Sequence, residues 1–214
     1  MSGKITDNLG RSSGLIKAAS GGAAGNLAVT LMDMGPSSGE TYTAQSNANY
    51  IVAYVGGGGG GAGRTPGNSG GAGGFGVYAT PISQPYSKDY AIGAAGTGFA
   101  GQGIAGNAGG ATTFGDPATV TANGGAGGPT GTVGSAPGSN LDITQKGTSN
   151  SGSSFGKSAR ALVGTAFYHS GPGHNRTANA THYLGQGGIV SNINFDSGAS
   201  GGQGFLLIYE NIGT

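Results

Sequence analysis

The chain contains no cysteine, so disulfides and thiolate metal sites are excluded, and stability has to come from backbone hydrogen bonds, packing or association. Charge is scarce too: nine Lys and Arg against eight Asp and Glu leave a formal net charge of +1. Scattered, balanced charges form no electrostatic footprint for nucleic acid or an anionic membrane, and neither is expected as a partner. Leu, Ile, Val and Phe together number 35 of 214 residues, which predicts a thin core. No stretch approaches the roughly 18 apolar residues of a membrane span, so no membrane insertion is expected. The opening MSGKITDNLGRSSGLIKAAS lacks the apolar run of a secretory signal. Acidic residues are isolated and no serine sits in a nucleophile-elbow pattern, so no nucleophile, base and orienter fall together. Neither enzymatic activity nor a cofactor is expected.

Glycine is abundant: 51 Gly and 8 Pro make up about 28% of the chain, against an average nearer 12%. Composition divides the chain into a mixed polar segment, 1–40, with one apolar stretch LAVTLMDM (27–34), and a glycine-rich region, 41–214. The densest glycine lies in GGGGGGAG (56–63), GGAGGFG (70–76), GTGFAGQGIAGNAGG (96–110) and GGAGG (124–128). Between these runs lie TYTAQ (41–45), YIVAYV (50–55), FGVYAT (75–80), DYAIG (89–93) and ATVTA (118–122), and IVSNINF (189–195) and GFLLIYE (204–210) follow near the C-terminus. These are short, rich in β-branched and aromatic residues, and mostly bounded by Gly or Pro, which is a strand signature. SARALVGTAFY (158–168) fits one or two helical turns or a strand equally, because Gly164 interrupts it. A polar insert spans about 131–188. The predicted fold is all-β, a sandwich-like core of short strands with packed glycine-rich loops and little helix.

Each glycine loses more backbone entropy on folding than any other residue, so something must compensate. Without a Cβ, backbones approach closely enough for extended, polyproline-II-like segments to cross-bond through their amides. Collagen is the precedent, but its strict Gly-X-Y period is absent from 96–110, which excludes a collagen triple helix.

Several motifs match by letter only. GQGIAG (101–106) fits the dinucleotide fingerprint, yet NAGGATTFG after it cannot begin a helix. SGSSFGKS (151–158) resembles a P-loop, but Ser151 stands where the first glycine belongs, and its S-x-x-K has no accompanying S-D-N or K-T-G. His169, His174 and His182 lie close in sequence without a carboxylate between Asp142 and Asp196, a poor metal-ligand set. The stretch 168–183 nevertheless combines side chains that stack on and hydrogen-bond to sugars or exposed protein edges. Its candidate binding residues are Tyr168, His169, His174, Asn175, Arg176, His182 and Tyr183.

TYTAQ, YIVAYVGGGGGGAG, YAIGAAGTG, GNAGGATTFG, TANGGAGG and the closing GGQGFLLIYE resemble, in that order, the glycine-rich domain of phage tail fibres and related virion proteins. An apolar strand, Tyr50 to Val55, leads into the first poly-Gly run, and a closing strand ends in the acidic Glu210. ITDNLGRSSGLIKA (5–18) is similar to leader segments of marine phage structural proteins. The resemblance implies a virion location and a tail fibre or distal tail adhesin that binds a host surface glycan or outer-membrane protein. It also implies attachment to other virion proteins through residues 1–40. A thin core favours association, and a homotrimer is expected, as in fibres generally. A capsid decoration or head-fibre protein, or a self-assembling extracellular filament subunit, is the alternative.

Overall fold

The computed structural model describes residues 26–63, 70–98, 105–115, 120–128, 143–145 and 200–212. Among these, nine strands follow in order: β1 (Asn26–Met34), β2 (Ser37–Thr43), β3 (Ala48–Gly56), β4 (Phe75–Pro81), β5 (Ser87–Ile92), β6 (Thr112–Phe114), β7 (Val120–Ala122), β8 (Ile143–Gln145) and β9 (Phe205–Ile212). They form a five-stranded sheet in the order β1-β9-β3-β4-β8 and a four-stranded sheet in the order β2-β5-β6-β7, with every pairing antiparallel. No helix occurs among the described residues, so the all-β expectation holds.

Alternation explains why these strands meet face to face. In β3, Ile51, Ala53 and Val55 are fully buried, and in β9 Leu206 and Ile208 join them. These side chains meet Tyr42, Tyr90, Ile92, Phe114, Val120 and Ala122 of the other sheet. A second apolar cluster of Val52, Phe75, Val77 and Phe205, flanked by Tyr50, Tyr54 and Tyr209, lies on the opposite face of the five-stranded sheet. The Phe75 and Phe205 rings stack with centroids 6.2 Å apart. Both faces of β3 are therefore apolar, which is why YIVAYV reads as an unbroken run instead of a two-residue alternation.

The register takes the sandwich back to residue 26. β1 pairs with β9 from Asn26 opposite Ile212 to Met34 opposite Phe205, so the apolar stretch assigned by composition to a leading segment completes a sheet. Its outward Met residues and a bulge between Val29 and Leu31 blur the alternation that would have marked it as a strand. β6 and β8, with three residues each, also went unread; TTF and ITQ hold one apolar residue apiece and lack the flanking pattern by which ATVTA marked the equally short β7. IVSNINF and SARALVGTAFY lie outside the described residues.

Candidate functional site

Six glycine-containing segments, 56–63, 70–74, 93–98, 105–111, 123–128 and 200–204, extend the strands beyond one end of the sandwich. Their hydrogen bonds run from segment to segment and repeat every three residues. Gly57 and Gly60 donate to Gly74 and Gly71, while Gly58 and Gly61 donate to Gly110 and Asn107. In return, Gly125 and Gly128 donate to Gly58 and Gly61. The same step joins Gly110 and Asn107 to Ala94 and Thr97, and Gly201 and Gly204 to Gly96 and Gly93. A three-residue turn with every amide bonded outward is polyproline-II geometry. The distances, 2.8 to 3.0 Å, are those of full-strength N–H···O bonds.

The run 56–63 is the hub of this bundle. It bonds to all five other segments, antiparallel to 70–74, 107–110 and 201–204 and parallel to 93–98 and 123–128. Crowding on every side explains its unbroken glycine. A Cβ on Gly57 or Gly60 would lie 2.3 or 2.0 Å from a carbonyl oxygen of the 122–126 backbone, and one on Gly58 or Gly61 would lie 2.2 or 2.1 Å from Ala94 or Thr97. Collagen crowds each chain on one side only and needs one glycine in three. The outer segments follow that lighter rule: Gly93 and Gly96, Gly106 and Gly109, and Gly201 and Gly204 face inward at three-residue spacing, while Ala94, Thr97 and Gln203 are exposed.

Thr112 joins bundle to sandwich. Its fully buried hydroxyl donates to the Gly56 carbonyl at 2.7 Å and accepts from the Gly93 amide at 3.0 Å, so one side chain ties the exits of β3 and β5 to the entry of β6. Phe205 caps the hub from the other sheet face, with its ring where a Gly56 Cβ would stand.

This architecture has a direction. Asn26 and Ile212 face each other at one end of the sandwich, and the bundle leaves the other. Toward the far end of the described bundle, the exposed Asn107 donates through Nδ2 to Thr97 Oγ1 at 2.7 Å, and the Gly98 amide donates to Ser200 Oγ at 3.3 Å. Among the described residues, the outward positions at this end of the bundle carry small polar side chains on a frame held by main-chain bonds. Thr97, Asn107 and Ser200 were not singled out by sequence reasoning; a polar residue at an outward position of a G-x-x-G segment is the signal that would have found them.

The binding residues expected from sequence, Tyr168, His169, His174, Asn175, Arg176, His182 and Tyr183, lie outside the described residues. Among the described residues no three His, Asp or Glu side chains gather as a metal site, and no helix is long and apolar enough to cross a membrane. The strongest titration effects belong to sandwich tyrosines. Burial pushes Tyr86 up to about 12. Tyr90 is likewise pushed up to about 12, by burial first and then by its hydrogen bond to Asp33. Tyr42 is raised by burial and by its bond to Glu210. In each case burial disfavours the ionised form and keeps the hydroxyl neutral. No family model matches the chain, and no curated protein matches it.

Proposed function

We propose that the chain is a phage virion protein, a tail fibre or distal tail adhesin that binds a host-cell surface glycan or outer-membrane protein. The observation that supports this reading is the direction of the architecture. Residue 26 and the end of β9 share one pole, and every described glycine segment extends toward the other. Attachment to other virion proteins through the N-terminal segment would then point the bundle away from the particle.

The bundle suits such a task physically. Its cohesion comes from main-chain bonds packed at distances only glycine permits, so its frame does not depend on which polar side chains occupy the tip. Weak individual contacts at that tip gain avidity when symmetric copies engage one surface together.

Immunogold labelling of purified virions with antibody against the chain tests the reading. Label at the tail tip, together with competition by the purified protein for adsorption to host cells, is the expected result. Label over the head would replace it with a capsid decoration or head-fibre protein. Absence from the particle, with filaments formed by the purified chain alone, would replace it with a filament subunit.

A further inference from the structure

The hydrogen bonds around the hub follow a hexagonal plan. A three-residue turn sends amides out in three directions, and because a trans peptide sets C=O opposite N–H, its carbonyls point the other three ways. The hub's amides go to 70–74, 107–110 and 201–204, all antiparallel to it. Its carbonyls accept from 93–98 and 123–128, both parallel to it. Bonds between neighbours set these five in the ring order 70–74, 123–128, 107–110, 93–98, 201–204, so antiparallel and parallel segments alternate. One place is left, between 201–204 and 70–74. The Gly57 and Gly60 carbonyls point into it, opposite the Gly58 and Gly61 amides that donate to Gly110 and Asn107. Gly58, Gly59 and Gly61 each accept an amide, from Gly125, Gly96 and Gly128, whereas no described amide donates to the carbonyl of Gly57 or Gly60. The third set of Cβ directions in the hub falls on the same side. There a Cβ on Gly56 would meet the Phe205 ring, and there stands Ala62, the one residue of 56–63 that is not glycine. Ala62 is fully buried, so the sixth place is covered.

We propose that residues 185–188, GQGG, fill the sixth place as a further polyproline-II segment whose Gly185 and Gly188 amides donate to the Gly57 and Gly60 carbonyls. The burial of Ala62 is complete within one copy of the chain, so the occupant comes from the same chain. Alternation around the ring requires it to run parallel to the hub, outward from the sandwich. Residues 1–25 lead into Asn26 at the opposite pole, and 64–69 and 99–104 begin and end at the far end of the bundle. Residues 129–142 run the wrong way, from the far end of 123–128 back to Ile143 opposite Val77. The stretch 146–199 has the right course. Gln145, opposite Phe75, sets its start at the root of the bundle, and its end passes into 200–204, which borders the vacant position in the ring. Among the glycines of 146–199, Gly185 and Gly188 alone stand three apart. That is the spacing of Gly93 and Gly96 in 93–98, an outer segment that also runs parallel to the hub and donates to Gly59 through Gly96. On the adhesin reading, the same course carries 189–199 to the end of the bundle that faces the host.

Amide hydrogen exchange resolved by residue tests this packing on the purified full-length chain, away from any particle, so its failure leaves the adhesin reading standing. Gly185 and Gly188 are expected to exchange within about tenfold of Gly125 and Gly128, the donors that already serve the hub. Gly188→Val is expected to lower the melting temperature by at least about 4 °C, as overpacking inside a crowded bundle does. Gln186→Ala, at an outward position of the same four residues, is expected to stay within about 2 °C. If the valine variant fails to fold, the exchange rates of the unaltered chain decide. Exchange at Gly185 and Gly188 as fast as in the unfolded chain would overturn the proposal, and so would a Gly188→Val variant that melts with the unaltered chain. Protection lost on dilution would give the place to a second copy and overturn it equally.

Discussion

The Tyr42 hydroxyl donates to Glu210 Oε1 at 2.5 Å, bridging β2 of one sheet and β9 of the other inside the sandwich. Glu210 is fully buried, and its carboxylate also accepts from the Gln45 amide, at 3.3 Å through Oε1 and 3.2 Å through Oε2. Removing the Tyr42 hydroxyl leaves a buried carboxylate short of its strongest donor. Tyr42→Phe is therefore expected to cost about 1–3 kcal/mol in denaturant unfolding. Loss of less than a few tenths would show that the bridge contributes nothing net.

The hub glycines give a sharper test. Gly58→Ala and Gly61→Ala each put a Cβ about 2 Å from a backbone carbonyl, which rotamer changes cannot relieve. Each is expected to exceed the roughly 1–3 kcal/mol of ordinary overpacking and to abolish cooperative unfolding of the bundle. Thr97→Ala, at an exposed outward position of the same bundle, is expected to stay within about 0.5 kcal/mol. Thermal melts of the three variants decide the matter.

Thr112 separates hydrogen bonding from shape. Thr112→Val keeps the volume but leaves the Gly56 carbonyl and the Gly93 amide without this partner, and a cost of about 2–3 kcal/mol is expected. Thr112→Ser restores the hydroxyl and is expected to recover most of that loss. Faster amide exchange at Gly93 in the Val variant would locate the effect at the junction between bundle and sandwich.

Stability should fall on the alkaline side. Tyr86 and Tyr90 titrate at about 12 in the folded chain, and Tyr42 is raised as well, whereas an unfolded tyrosine ionises near 10. Above about pH 10 the unfolded chain therefore binds fewer protons than the folded one, and stability declines with pH until the folded tyrosines ionise. The stabilisation is fully present below about pH 10. Unfolding free energies measured at pH 8 and pH 11, with tyrosinate absorbance followed alongside, check the sign, and a flat profile would contradict it.

Much of the sandwich was legible. YIVAYV, FGVYAT and GFLLIYE announced β3, β4 and β9 because apolar, β-branched and aromatic residues there are bounded by glycine or proline. LAVTLMDM was not recognised as β1, since its partner β9 lies at the other end of the chain and no local pattern reports such a pairing. The candidate tip was less legible. Thr97, Asn107 and Ser200 come together only because three separate glycine segments pack in register.

By itself, the sequence determined that this chain builds with strands and close-packed backbone: glycine in this quantity cannot fill a side-chain core, and without cysteine or abundant charge little else is left to hold it. That the unbroken GGGGGG at 56–61 is the segment crowded on all sides became visible only in the structure. Tertiary structure alone decided which segments surround that hub, in which direction each runs, and that Glu210 is buried against Tyr42. The physical reason is that amide bonds between glycine segments have no side-chain identity. Their partners are selected by the strands that lead into them, and those strands pair across nearly the whole length of the chain.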